Sequence, residues 1–172
     1  LFRIDFDAQQ WEGIGCFRVM WAIFDSFKLF REFKICNETF YKFLDAISHT
    51  YHSDVPYHNW AHAVDVTQFI TYQIKTAKLE TKLTKIELLA LLVAGICHDA
   101  SHEGFSNVFN IKAETPLGIL FKNQSVMEIH HCCVAIEILS KEETNIFDSL
   151  DSAKTKEVWN LLIKFILTTD MV

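Results

Sequence analysis

All eight histidines of this 172-residue chain fall between positions 49 and 131. Within that window His58 and His62 are four residues apart, and so are His98 and His102. Residues four apart lie on one face of an α-helix, so the two imidazoles of each pair can point into the same space. Two such pairs on neighbouring helices can converge, which predicts a metal site.

Asp99 strengthens the prediction of a metal site. It follows His98 directly, after the apolar run of residues 88–97 that must be packed in the interior. A carboxylate at that depth is costly unless a cation or a hydrogen-bond network compensates it. Imidazole and carboxylate together suit zinc, manganese, iron or magnesium. The competing interpretation is a pair of core histidines with satisfied hydrogen bonds, but two histidine pairs beside an aspartate favour the metal.

The composition indicates which kind of fold positions these side chains. The chain is half apolar and contains only 5 Gly and 2 Pro. Both residues punctuate turns and break helices, so long helices are easier to accommodate than the many turns of a β-sandwich or barrel. We therefore predict an all-α fold in one domain.

Caps and apolar spacing predict the helices. We expect one over residues 14–33, one over 38–52, one from Pro56 to about Ala77, and a last long one capped by Asp151 or Ser152. Capping boxes are predicted to begin two more helices, and they pair Thr84 with Glu87 and Ser125 with Glu128. The helix after Pro56 is expected to bury Ala63, Val66, Phe69, Ile70 and Ile74.

The charge, the apolar runs and the cysteines exclude several classes of partner. A net charge of -6 argues against nucleic acid or an anionic membrane surface. No apolar run is long enough for a transmembrane segment. Five cysteines without Cys-x-x-Cys spacing favour reduced thiols, so we expect an intracellular, cytoplasmic protein. The chain lacks an initiating Met, and we expect it to be part of something longer.

Two motifs resemble the paired signature of the class I 3′,5′-cyclic nucleotide phosphodiesterases. They are YHNWAHAVDV at residues 57–66 and HDASHEGFSN at residues 98–107. Further matches follow in the order expected for the family, at residues 84–97, 125–131 and 167–171. The resemblance covers nearly the whole chain. Residues 114–120 and 135–140 look most like the kinetoplastid protozoan enzymes of the class.

This resemblance implies a compact multi-helix bundle with a binuclear metal site between helices. It implies hydrolysis of the cyclic phosphodiester of cAMP and/or cGMP to the 5′-monophosphate by a metal-bridged hydroxide, in signal transduction. By position in the motifs, His62, His98 and Asp99 would hold the tight metal, zinc. Asp99 would bridge to a second ion, magnesium or manganese, and His58 would be the general acid.

A further set of residues is expected beside the metals or the substrate. Glu128 either serves the site or is only the capping-box residue, and Tyr57 either borders the phosphate or packs beside Pro56. These two alternatives stay open. The expected set comprises His102, Glu128, Tyr57, His131, Thr169 and Met171.

The family pattern contains residues that this chain does not reach. A downstream aspartate ligand and the purine-binding glutamine are absent, and Ala100 stands where a larger apolar residue is usual. We expect residues 1–172 to be the N-terminal portion of a catalytic domain, inactive alone, with regulatory domains or a homodimer interface outside it. Two alternatives remain: another His-Asp type metal-dependent phosphohydrolase, or a non-catalytic nucleotide-binding regulatory module.

Overall fold

The structure, a computed structural model, describes residues 1–171 and confirms the all-α prediction. Within those residues there is no strand and no helix long and apolar enough to cross a membrane. Short 3₁₀ turns cover Ala8–Gln10 and Leu79–Thr81. The α-helices are α1 Ile14–Ser26, α2 Leu29–Glu32, α3 Asn37–Ser48, α4 Trp60–Thr76, α5 Lys85–Cys97, α6 Asn107–Lys112, α7 Pro116–Leu120, α8 Val126–Leu139 and α9 Ser152–Leu167.

Helix α5 is the centre of the bundle. The predicted capping box begins it, since Glu87 N donates to Thr84 Oγ1 and Thr84 N donates to Glu87 Oε2. Between Leu88 and Cys97 every residue except Leu91 is buried. A helix that is apolar on all sides must be covered on all sides, and α5 packs mainly against α9 and α4. The residues that directly follow its C-terminal end, His98 and Asp99, therefore lie in the interior.

The predicted single helix over residues 14–33 is wrong. Helix α1 ends at Ser26, Lys28 takes a left-handed conformation with φ 59°, and α2 begins at Leu29. The break lets Phe27 and Leu29 both face the core, at 2% and 0% exposure. A straight helix would place these two residues about 200° apart.

The predicted helix over residues 38–52 begins one residue earlier and ends at Ser48. Tyr51 explains the early end. Its side chain is buried, and its hydroxyl donates to the carbonyl oxygen of Ile96 on α5 at 2.7 Å. If the helix continued past Ser48, helical geometry would set the direction of the Tyr51 side chain. Outside the helix, the side chain reaches Ile96 and supports the end of α5.

Helix α4 begins at Trp60, so the predicted start at Pro56 is wrong. Its buried side also differs from the prediction, because Phe69 is 44% exposed whereas Thr67 and Thr71 are fully buried. Both threonine hydroxyls donate to the carbonyl four residues earlier, so their burial leaves no unpaired donor. Periodicity that counts only apolar residues overlooks such threonines.

The two remaining cap predictions had opposite outcomes. Asp151 caps α9 as predicted, accepting from Lys154 N at 2.9 Å. The capping box of Ser125 with Glu128 is wrong, because Ser125 has φ 38° and its side chain makes no cap hydrogen bond to α8. Glu128 is therefore free of the capping role.

Candidate metal centre

Three side chains from two helix ends converge in a half-buried recess. His62 lies in the first turn of α4, and His98 and Asp99 directly follow α5. Asp99 Oδ2 is 3.3 Å from His62 Nε2 and 3.2 Å from His98 Nε2. One ligand atom from each residue lies within 4.8 Å of the others, a spacing that suits one metal ion. The structure thus brings together the three predicted zinc ligands.

The histidine pairs reach this recess without lying on single helices, so that part of the prediction is wrong. His58 precedes the cap of α4, and His102 follows Ser101, whose φ of 60° ends any helical continuation of α5. The rings of His58 and His102 nevertheless stack, with centroids 4.0 Å apart and planes at 14°. The loops, rather than helix periodicity, bring these two rings together.

Asn59 fixes the start of α4 and therefore the position of His62. Its Oδ1 accepts from His62 N at 3.2 Å, and its Nδ2 donates to Val55 O at 3.2 Å. The first contact is an N-cap, and the second holds the loop that carries His58. Sequence reasoning missed this cap, although an asparagine directly before Trp60 is the ordinary signal for one.

A backbone carbonyl determines which nitrogen of His98 faces Asp99. His98 Nδ1 lies 2.9 Å from Gly95 O, and a carbonyl can only accept, so Nδ1 carries the hydrogen. In the neutral ring Nε2 then presents a lone pair to the Asp99 carboxylate. Two acceptors 3.2 Å apart need a proton or a cation between them. The donor set therefore fits a divalent ion.

The pKa shifts agree with that requirement in the metal-free protein. Burial disfavours a charge on either group, but the hydrogen bonds between them outweigh it. The pKa of His98 is raised by Asp99 and the Gly95 carbonyl, and the pKa of Asp99 is held well below its ordinary value by His62 and His98. The raised pKa of His98 means that Asp99 favours a positive charge on that ring, beside the carboxylate where a cation can bind.

A second group of possible ligands consists of Asp99, His102 and His131. His131, which is 1% exposed, lies on α8 with Nε2 3.8 Å from Asp99 Oδ1. Its Nδ1 is 2.7 Å from Ala100 O, so in the neutral ring Nε2 again has the lone pair. Burial lowers the pKa of His131 to about 4, so the ring is neutral at pH 7.

His102 has the opposite arrangement. Gly104 N donates to His102 Nδ1 at 2.9 Å, so this nitrogen is an acceptor and Nε2 carries the hydrogen. Burial, followed by the nearby His58, lowers the pKa of His102 to about 4. A neutral ring with its hydrogen on Nε2 cannot use that nitrogen as a metal ligand, but it can donate a hydrogen bond to a water or a phosphate oxygen.

Comparison with known proteins now bears on this geometry. The sequence model of the 3′,5′-cyclic nucleotide phosphodiesterases matches residues 57–172, which include every residue of the recess. The chain belongs to this family. The 3′,5′-cyclic-nucleotide phosphodiesterase regA of Dictyostelium discoideum is 32% identical over 97% of this chain and 21% of its own length. The human high affinity cGMP-specific 3′,5′-cyclic phosphodiesterase 9A is 32% identical over 96% of the chain and 28% of its own length.

Solved phosphodiesterase structures have the same fold. The phosphodiesterase domain of the Salpingoeca rosetta rhodopsin phosphodiesterase superposes with a TM-score of 0.93 at 33% identity, over 97% of this chain and 50% of that one. The corresponding RhoPDE fusion protein domain gives 0.93 at 32% identity, over 99% and 53%. The chain thus spans about half of these solved phosphodiesterase domains. The narrower likeness to kinetoplastid enzymes stays a prediction.

Tyr57 lies at the mouth of the recess. It is 63% exposed, and its ring centroid is 4.5 Å from that of His62 and 5.0 Å from that of His58. With Pro56 it lines an open cavity of about 410 Å³ between the start of α4 and the N-terminal residues 6–9. Its ring therefore borders both the recess and the neighbouring cavity.

Three other predicted site residues lie on different elements. Glu128, in the first turn of α8, accepts from Asn107 Nδ2 at 2.9 Å. Thr169 follows α9, and its hydroxyl donates to Ile166 O, whereas Met171 is 97% exposed. The roles of these three residues beside the metals or the substrate stay predictions.

Proposed function

We propose that this chain is the N-terminal portion of a catalytic domain that hydrolyses the 3′,5′-cyclic phosphodiester of cAMP and/or cGMP to the 5′-monophosphate. The observation that carries the proposal is the convergence of His62 and His98 on Asp99, with His58 in the same recess. Membership of the phosphodiesterase family supports the reaction class. The activities in the relatives' names support the substrate class.

The proposed cofactors are zinc, held by His62, His98 and Asp99, and magnesium or manganese at a second site. Asp99 would be a ligand of both ions. Two imidazole nitrogens and a carboxylate suit zinc, while carboxylate with water suits the second ion. When bound, the two cations supply an activated water and neutralise charge on the phosphate.

His58 is the proposed general acid. Burial lowers its pKa below the ordinary value, with Asp99 opposing that shift. An anionic phosphodiester beside the ring raises the pKa, because a nearby negative charge favours the protonated form. The protonated ring can then donate its hydrogen to the departing ribose 3′-oxygen. His102 Nε2–H, on the adjacent stacked ring, is available to donate to a phosphate oxygen.

The rest of the catalytic domain is proposed to complete the site. The chain spans about a fifth to a third of the length of the curated relatives, and we propose that a further aspartate ligand and the purine pocket lie outside residues 1–172. Regulatory domains or a homodimer interface would also lie there. A cytoplasmic location is part of the proposal, because the cysteine pattern favours a reducing compartment.

Turnover measured on the full-length protein tests the proposal. We expect hydrolysis of cAMP or cGMP that is lost with a chelator and restored by zinc with magnesium or manganese, and no turnover from residues 1–172 alone. A metal-loaded protein that binds cyclic nucleotide without turnover would be a regulatory module. Hydrolysis of other phosphate esters but not cyclic nucleotides would indicate a different phosphohydrolase.

A further inference from the structure

Helix α8 begins without a cap from its own preceding residue. Ser125 is in the left-handed region and makes no side-chain cap bond, so the first N–H groups of the helix need acceptors from elsewhere. Asn107, at the start of α6, supplies one, because its Oδ1 accepts from Met127 N at 2.9 Å. The cap of α8 therefore comes from the last residue of the motif at residues 98–107.

The same asparagine holds the carboxylate of Glu128. Asn107 Nδ2 donates to Glu128 Oε2 at 2.9 Å. The two partners define the orientation of the amide, since a backbone N–H must meet the oxygen and a carboxylate must meet the nitrogen. One side chain thus fixes both the backbone and the carboxylate of the first turn of α8.

The carboxylate held in this way belongs to a residue that shares a face of α8 with His131, which is in the metal recess. Glu128 and His131 are three residues apart and so share a face of the helix. His131 Nε2 lies 3.8 Å from Asp99 Oδ1, and His131 Nδ1 bonds to Ala100 O. Glu128 lies one turn before this contact, and its hydrogen bond with Asn107 uses Oε2 and not Oε1.

Asn107 also closes the loop that carries His102. Gly104, at φ 85°, donates its N–H to His102 Nδ1, and three residues later Asn107 bonds to α8. We propose that Asn107 is a positioning residue, which sets the Glu128 carboxylate towards the second metal of the site and holds α8 against the His102 loop. The proposal rests on the proposed function, because it assigns Glu128 to that reaction.

In the full-length protein, Asn107→Asp should keep the contact with Met127 N and remove the contact with Glu128. Aspartate keeps an acceptor for Met127 N but replaces the donor to Glu128 with a repelling oxygen. We expect the thermal unfolding midpoint to stay close to that of the parent, while kcat and the affinity for Mn²⁺ each fall about 10- to 100-fold. Bound Mn²⁺ is counted by electron paramagnetic resonance, which needs no substrate.

The double variant Asn107→Asp with Glu128→Gln discriminates positioning from folding. A glutamine amide can donate to the new aspartate, so the hydrogen bond is restored with reversed polarity while the carboxylate is lost. A positioning role predicts that kcat stays at the level of Glu128→Gln alone. Recovery of parental kcat in the double variant, or unchanged kcat and Mn²⁺ affinity in Asn107→Asp, would overturn the proposal.

Asn145→Asp is the matched control, because Asn145 Oδ1 also accepts a backbone N–H, from Phe147, at a turn that follows α8. We expect its kcat and Mn²⁺ affinity to stay within about twofold of the parent, since aspartate keeps the acceptor for Phe147 N and Asn145 contacts none of the predicted metal ligands. If the parent protein itself lacks turnover, the proposed function fails, and the Mn²⁺ affinities of the same variants still decide the role of Asn107.

Discussion

His102 and His131 lie almost parallel, with ring centroids 5.6 Å apart, yet the backbone places their hydrogens on opposite nitrogens. The Gly104 N–H binds Nδ1 of His102, whereas the Ala100 carbonyl binds Nδ1 of His131. The first ring therefore presents a donor at Nε2 and the second presents a lone pair. Residue type alone could not assign these roles, because both are histidines beside the same aspartate.

These tautomers are directly measurable. Both rings have a pKa of about 4 because they are buried, so both are neutral at pH 7 in the metal-free protein. Two- and three-bond ¹⁵N–¹H correlation spectra of the histidine rings should show Nε2–H for His102 and Nδ1–H for His131. The same tautomer in both rings would contradict the assignment.

Substitutions at His58 and His62 should separate acid catalysis from metal binding. In the full-length protein, His58→Ala should retain its zinc while kcat falls about 10²- to 10⁴-fold, the ordinary contribution of a general acid. His62→Ala should lose the zinc, since it removes one ligand. Metal analysis beside turnover measurements checks both, and zinc loss in His58→Ala would reassign that residue as a ligand.

Asn59→Ala should weaken the site through the start of α4. It removes the acceptor for His62 N and the bond to Val55 O, and loss of an N-cap destabilises a protein by about 1 kcal/mol. Asn59→Asp keeps the cap and serves as the control for stability. Chemical denaturation and zinc titration measure the two effects, and equal zinc affinity in parent and alanine variant would refute the coupling.

Two glycines should respond to alanine in opposite directions. At Gly118 a Cβ would lie 2.6 Å from the backbone oxygen of Asn110, and crowding of this kind costs about 1–3 kcal/mol. At Gly15, in the first turn of α1, the nearest atom is Trp11 Cε3 at 3.4 Å, so alanine fits and should stabilise by about 0.4–1 kcal/mol. Urea unfolding of both variants tests the packing of α7 against α6, and a stabilised Gly118→Ala would show that this contact is wrong.

Cys36 should be the fastest-reacting thiol. It is exposed at the start of α3, where the N–H groups of Thr39 and Glu38 lower its pKa and so raise the thiolate fraction at pH 7 to 8. Burial raises the pKa of Cys97 and raises that of Cys132 to about 11. Iodoacetamide labelling followed by peptide mass spectrometry gives the order, and Cys36→Ser should abolish the fast phase. Earlier labelling of Cys97 would contradict the burial of α5.

The parts of the fold that follow local rules could be predicted from the sequence. Helix α5 has a capping box and an unbroken apolar run. The motifs around His62 and His98 contain the histidine and aspartate residues expected of metal ligands. The break at Lys28 could not be predicted, because lysine carries no signal for a left-handed backbone and the break goes with the burial of both Phe27 and Leu29 in the core. The tautomers depend on the carbonyls of Gly95 and Ala100, and a backbone group has no sequence signature.

The burial of α5 divides the metal centre into two parts with different freedom of motion. Amides near Cys97 should exchange with solvent only when the whole bundle opens, since local opening would expose the most buried helix. His98 and Asp99 are therefore held in place before any ion arrives, whereas His58 and His102 lie on loops that can adjust. The fixed residues His98 and Asp99 can then discriminate between ions of different size. The loops with His58 and His102 can adjust to a substrate that enters and leaves.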